Sequence, residues 1–219
     1  MASVTPALAR RWPLYALVLR TARLELQLPE EGGLAALADL AVARVHRRGE
    51  RPFLTPWTEG SGTDRARHVL QGHWARLGSW SPSGWSLGLG VFADSEPVGM
   101  VTLRAAEFAV RREVTTSSWL GLAYQQRGFG TEARTALLTL AFDHLDAVSA
   151  VTEVFQDNAG SQGVSRKLGY RSDGISRDVR DGEVVVSDRL RLDRADWDRV
   201  EHTPTEVVGL GVCRAEFGV

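Results

Sequence analysis

Residues 119 to 130 read WLGLAYQQRGFG, and the chain continues TEARTALLTLAFDH to His144. The first part is a strand-like run ending in a turn, and the second carries apolar residues at helical spacing. Gly128 and Gly130 stand where strand gives way to helix, so the backbone there can take angles a side chain forbids and can approach an anion closely. The unpaired N–H groups of a first helical turn supply donors, and a diphosphate fits such a cradle. A Walker loop needs Gly-Lys-Ser/Thr, but Gly130 is followed by Thr131; the dinucleotide fingerprint needs GxGxxG, and only GxG is present. Taken alone, the loop also reads as a plain strand-to-helix turn with no ligand.

A second segment, DNAGSQGVSRKLGY at residues 157–170, follows the strand-like run AVTEVF. Here a family resemblance is carried by particular residues. Gln125, Gln126, Arg127, Gly128, Phe129 and Gly130 resemble the Q/R-x-x-G-x-G/A acyl-CoA loop of the GCN5-related N-acetyltransferases, the GNAT family. Asn158, Ser161, Leu168, Gly169 and Tyr170 resemble the N-x-x-S…K-L-G-F/Y segment of its RimJ/RimL branch. Thr21-Ala22-Arg23-Leu24 resembles that branch's T-x-R-L entry strand, and Asp196-Trp197 its closing D/E-W. PFLTPW, WSLGLGVF and SSWLGLAYQ, which begin at Pro52, Trp85 and Ser117, resemble an actinobacterial subgroup in which some relatives use succinyl-CoA.

The resemblance implies an α/β (α+β) GNAT fold: a mixed sheet of about seven strands, split in a V between the fourth and fifth, with about four flanking helices. It implies transfer of an acetyl group from acetyl-CoA, with succinyl-CoA as the alternative donor, by direct attack of a primary amine in a ternary complex. The amine would belong to a protein N-terminus, a lysine or a small molecule. Backbone N–H groups from Gln126 to Thr131 would bind the CoA pyrophosphate, with Arg127 adding charge at the rim. Trp119, Leu120, Gly121 and Leu122 would pair with the pantetheine arm like an added strand, and an N–H near Leu120 to Leu122 would polarise the thioester carbonyl.

Asn158 would hydrogen-bond the pantetheine amides from the far side of the split, in competition with a turn or N-cap role. Ser161 is the candidate acid for the departing thiolate, or else the cap of the helix that begins there. Many family members carry a tyrosine four positions further on, where this chain has Ser165, and Tyr170 reads as a packed aromatic. The acidic residue common on the family's central strand aligns with Thr115, so Glu107 is the substitute base, beside a path through water. Trp57, His73 and Trp74 are candidates for the acceptor pocket. Arg104, Arg111 and Arg112 are the cations available to an acyl group bearing a carboxylate. The missing tyrosine and acid also motivate a reading as a non-catalytic acyl-CoA sensor or partner module.

A chain of 219 residues suits one substantial core, so residues 1–219 read as a single domain with its core at about 20–200 and a tail at 203–219. A net charge of −1 gives no pull toward nucleic acid or anionic membrane as first partner. The single cysteine, Cys213, excludes an intrachain disulfide framework and multi-cysteine zinc sites, and no metal is expected. Lys167 is the one lysine, which leaves lysine self-acylation almost no target. Arg10-Arg11 ahead of the apolar run at 14–19 superficially suggests an export signal, but the run is short and lacks small residues at a cleavage site. It reads instead as a first strand or its lead-in, in a cytoplasmic protein with no membrane association.

Along the chain, helices are expected at residues 34–46, from a Thr63-Asp64 cap to about Leu77, and at 161–168. Runs at 85–93, 97–108 and 114–122 form an antiparallel meander, and Arg180-Asp181-Gly182-Glu183 is the turn of a last hairpin. In the helix after the glycine loop, Ala133, Leu137, Leu140, Ala141 and His144 share one face. The apolar tail residues Val207, Val208, Leu210, Val212 and Phe217 dock either on the core or on a second subunit; with family precedent they suggest a homo-oligomer, a dimer first.

Overall fold

The computed structural model describes residues 6–219. Its strands are β1 (Val18–Arg20), β2 (Glu25–Gln27), β3 (Gly84–Ala93), β4 (Glu96–Ala106), β5 (Glu113–Leu120), β6 (Ser149–Phe155), β7 (Arg171–Arg180), β8 (Glu183–Asp193) and β9 (Glu206–Val208). They form one nine-stranded sheet in the order β7-β8-β6-β5-β4-β3-β2-β1-β9. Each neighbouring pair is antiparallel except β5–β6, which is parallel. Two strands lie beyond the expected number: β1, which follows a short helical turn and takes up the end of the apolar run read as a first strand or its lead-in, and β9, three residues long and too short to show an alternation in sequence.

Two hairpins are set by two-residue turns of the mirror-image type that suits strand twist. Asp94 (φ 49°) and Ser95 (φ 68°) join β3 to β4, and Asp181 (φ 53°) and Gly182 (φ 81°) join β7 to β8. Four longer helices flank the sheet: α1 (Glu31–Ala43), α2 (Gly62–Gly78), α3 (Phe129–Thr139) and α4 (Ala159–Lys167). The cap of α2 is Ser61 rather than Thr63. Its hydroxyl accepts from the Asp64 N–H while the Asp64 carboxylate accepts from the Ser61 N–H, a reciprocal box that satisfies two orphan donors.

Alternation along the central strands divides the core in two. One face presents Leu87, Leu89, Val101, Leu103 and Val114 to Leu137 and Phe142 of α3 and the helical turn after it. The other presents Phe92 and Met100 to Leu34, Leu37 and Ala41 of α1 and Val69 of α2. Helix α3 is buried on more than the expected single face: every residue from Glu132 to Thr139 is buried, because β1 and α4 also pack against it.

The tail folds back on its own chain. Val207 pairs with Leu19 across β9 and β1, while Leu210, Cys213 and Phe217 are buried, Phe217 edge-on to Trp80 and Trp85. Leu210 and Phe217 thus serve this core, while Val212 stays exposed. No helix among the described residues is long and apolar enough to cross a membrane.

Candidate functional site

The loop at 125–131 is held from three sides. The Gln125 side-chain amide donates to the carbonyls of Val45 (2.6 Å) and Leu120 (3.1 Å), so this side chain braces the loop instead of facing a ligand. Gln126 (φ 60°) and Gly128 (φ 84°) take left-handed conformations, and Gly128 is the N-cap of α3. Phe129 is buried, with the guanidinium groups of Arg23 and Arg127 lying 4.8 Å and 5.2 Å from its ring centre. The first turn of α3 is anchored through buried Glu132, whose carboxylate accepts from the Thr21 hydroxyl (2.6 Å) and from Arg23 Nε (2.7 Å). Arg23 Nη1 also donates to the Arg127 carbonyl (3.1 Å).

Among the described residues, no acceptor is paired with the backbone N–H groups of residues 126–131. A Cβ placed on Gly130 would lie 3.5 Å from Leu120 and 3.7 Å from Val164, ordinary contact distances, so packing alone does not require glycine there. The missing side chain leaves room in front of the donors. Unpaired N–H groups, the positive end of a helix and the half-exposed cation of Arg23 together suit a diphosphate.

Beside the loop the sheet splits. Strands β5 and β6 pair only at Glu113–Ser149, Val114–Ala150 and Thr115–Val151, and the Thr152 hydroxyl then donates to the Thr116 carbonyl (3.1 Å). Beyond that point each strand continues on its outer neighbour, β5 on β4 to Leu120 and β6 on β8 to Phe155. The inner edges, residues 117–120 and 153–155, part into a V. The split falls between the fifth and sixth strands because β1 shifts the count by one.

Helix α4 closes the far side of the V. Its N-cap is Asn158, whose Oδ1 accepts from the Ser161 N–H (3.0 Å), so Ser161 lies within the first turn and is not the cap. The Asn158 side-chain N–H₂ stays available to a ligand. Ser165 is fully buried with its hydroxyl unpaired.

Several expected residues fall elsewhere. Leu122 has left the strand for a short helical turn, and its N–H donates to the Arg44 carbonyl (2.9 Å). The Gly121 N–H donates to the Val98 carbonyl (3.0 Å). Neither N–H is therefore a free oxyanion donor, and the open edge of β5 ends at Leu120. Glu107 is exposed in a left-handed turn past the end of β4, beyond the closed end of the split, so the fold does not bring it to the loop or to Ser161.

Arg111 and Arg112 lie at that same closed end, Arg111 on Glu113 and Arg112 donating to the Leu145 carbonyl. Trp74 is exposed. Trp57 does reach the site: its ring lies 5.6 Å from that of Trp119 and stacks on His68 at 4.9 Å. His73 is buried, and burial together with the charge of Arg76 pushes its pKa down to about 4.

Two residues at the point of the V, Arg134 and Thr116, escape sequence reasoning. Arg134 is buried; its Nη2 donates to the Thr116 hydroxyl (2.6 Å), its guanidinium lies 5.5 Å from the Tyr170 ring, and its Nε has no partner. Tyr170 is packed as expected, but its hydroxyl also bonds that of Thr116 (3.2 Å). Arg134 lies off the apolar stripe of its helix, so spacing alone assigns it to solvent; only the burial of all of α3 reveals it.

Comparison with known proteins agrees with this architecture. The model of the GNAT acetyltransferase domain matches residues 23–171. Among solved structures, the chain is similar to RimL, a ribosomal L7/L12 alpha-N-protein acetyltransferase in complex with coenzyme A. That match has a TM-score of 0.66 and 18% identity, covering 80% of this chain and 97% of that one. A GNAT-family acetyltransferase from Bacillus anthracis matches with a TM-score of 0.64 at 15% identity, covering 81% of this chain and 99% of that one. The microcin C7 self-immunity acetyltransferase MccE, solved with acetyl-CoA and AMP, matches at 0.62 and 16%, covering 78% and 93%. A donor-lined loop at the head of α3, a split beside it and a family match across both lead to one conclusion: the chain belongs to the GNAT acetyltransferase family.

Proposed function

We propose that the protein transfers an acyl group, acetyl in the first instance, from acyl-CoA to a primary amine in a ternary complex. The observation that carries this reading is the run of unpaired N–H groups at residues 126–131, shortly after the strand whose pairing with β6 stops short of its end. Those donors, with Arg127 and Arg23 at the rim, would hold the pyrophosphate. The open edge of β5, from Ser117 through Trp119 to Leu120, would pair with the pantetheine amides, and the Asn158 side-chain N–H₂ would donate from the opposite wall.

The chemistry asks little more of side chains. The amine nitrogen forms a bond to the thioester carbon, the C–S bond breaks, and the amine proton leaves through water. Ser161, in the first turn of α4, would protonate the thiolate, and an N–H of the open β5 edge would stabilise the developing oxyanion. Ser161→Ala is expected to lower kcat by about 10- to 100-fold with acyl-CoA affinity retained. Coenzyme A thiol release over an amine panel reads this directly. Tight acetyl-CoA binding without thiol release from any amine would favour the sensor reading instead.

A second reading, transfer of a succinyl group, is favoured by Arg134, a buried guanidinium with no carboxylate partner where the split closes. An acyl carboxylate would supply the missing counter-charge. Equal turnover of acetyl- and succinyl-CoA would remove its basis. Membership of the RimJ/RimL branch is supported by the Asn158–Ser161 and Thr21–Leu24 motifs, and of its actinobacterial subgroup by the runs that begin at Pro52, Trp85 and Ser117. A cytoplasmic location follows from the donor the reaction needs. Homodimerisation is supported by the exposed apolar residues Ile175, Val179 and Val184 on the edge hairpin β7–β8.

A further inference from the structure

The face of the sheet beneath α2 changes character from one cross-strand row to the next. Met100 and Trp119 stand side by side in an apolar row under α1, but the next row is Gly88, Thr102 and Ser117, and the one after it Ser86, Arg104 and Thr115. Small polar side chains thus floor a trough that ends at the open edge of β5. Arg76 of α2 lies along this floor: a Cβ on Gly88 would overlap its Nε, and one on Gly72 would lie 3.3 Å from its Nη1. Two glycines on different elements leave the space in which the guanidinium is seated.

That seat lacks a counter-charge. Arg76 Nε is buried without a partner, and neither Arg76 nor Arg104 forms an ion pair among the described residues. Asp64, on the same helix, is engaged in the cap of α2, and Glu113 is held by Arg111 and Arg191, while Glu107, three residues beyond Arg104, sits exposed past the end of β4 and forms no ion pair with either arginine. The imbalance is felt nearby: burial and the charge of Arg104 lower the pKa of Arg76, and Arg76 in turn helps lower those of His68 and His73. A partly buried guanidinium beside a second, exposed cation and without an acid is costly unless a ligand brings the anion.

We propose that Arg76, seconded by Arg104, is the anion subsite of the acceptor site, and that the acceptor is an amine bearing a carboxylate or phosphate about 10 Å from the nitrogen acylated. The span is that of the two strand spacings, about 4.8 Å each, that separate Gly88 from the β5 edge at Ser117. The proposal rests on the acyltransferase reading above. A guanidinium left unpaired by a neutral acceptor discriminates against it, because its buried N–H groups then lack an acceptor.

The test uses matched amine pairs: a peptide N-terminus followed by Glu or by Gln, and an aminoalkyl phosphate or its uncharged alcohol. With thiol release as readout, kcat/KM is expected to favour the anionic member of one pair by about tenfold or more, and the pair that shows it identifies the source of the anion. Arg76→Gln and, at an exposed position, Arg104→Gln should each narrow that ratio to within about threefold, with Arg76→Lys restoring part of it. Retention of the thermal shift with coenzyme A shows that a variant is folded.

Equal rates for both members, or an equal loss on both in Arg76→Gln, would overturn the proposal. If no amine releases thiol, the acyltransferase reading fails on its own terms. Inorganic phosphate titrated into the coenzyme A-saturated protein then decides the subsite: binding weakened about fivefold or more by Arg76→Gln supports it, and unchanged binding refutes it.

Discussion

At the scale of residues, two glycines two positions apart do different work. Gly128 needs its left-handed backbone, with φ at 84°, so Gly128→Ala is expected to cost about 1 kcal/mol of stability. Gly130 is not so constrained, since its φ is not left-handed and a Cβ there meets only ordinary contacts. Gly130→Leu should therefore keep stability within about 1 kcal/mol in denaturant titration while weakening acetyl-CoA binding about tenfold or more. Stability and affinity lost together would show that Gly130 serves the fold alone. The loop and Asn158 were legible because the chemistry of such sites lies in short contiguous motifs. Arg134, Thr116 and Arg76 were not, since their meaning comes from partners far away in the chain: Arg134 reads as solvent-facing until Thr116 and Tyr170 close over it, and Arg76 until Gly88 is placed beneath it.

At the scale of elements, α3 is positioned by the entry strand through Glu132. Glu132→Gln keeps the shape but removes the charge that gathers the Thr21 hydroxyl and Arg23, and is expected to cost about 1–3 kcal/mol and to weaken acyl-CoA binding by misplacing the loop. An unchanged melting temperature would contradict that role. Helix α2 carries a pH dependence through His73. Unfolded, this imidazole takes up a proton as the pH falls through 6.5, but folded it resists until about 4. Between those values the unfolded chain binds more protons, so the stabilisation present above pH 6.5 is lost as the pH falls. The loss of unfolding free energy from about pH 7.5 to about pH 4.5 should be smaller in His73→Gln by about 2 kcal/mol. Parallel profiles would show that His73 accepts a proton readily in the folded state. Helix spacing and turn residues gave the elements to within a few positions, but the cap of α2 fell at Ser61 because a reciprocal Ser–Asp pair outcompetes a lone threonine.

At the scale of the whole molecule, the sheet is a platform opened at one joint and closed at one edge by the tail. Removing residues 206–219 takes away β9 and the burial of Leu210, Cys213 and Phe217, and should lower the melting temperature by about 10 °C, since a buried aromatic alone is worth about 3–5 kcal/mol. A truncated chain that melts like the full one would show the tail to be an appendage. The sequence left two homes open for the tail because apolar content specifies burial but not the partner; three residues pairing with Val18–Arg20 decide it. The central claim is that an acyl-CoA is held at the head of α3 with its arm in the β5–β6 split. The measurement that tests it most directly is a thermal-shift titration of the full chain with coenzyme A, acetyl-CoA and succinyl-CoA. At about 100 times its Kd a ligand adds about 2.7 kcal/mol, so the melting temperature should rise by about 5–10 °C with at least one of them. No rise with any of the three would contradict the claim.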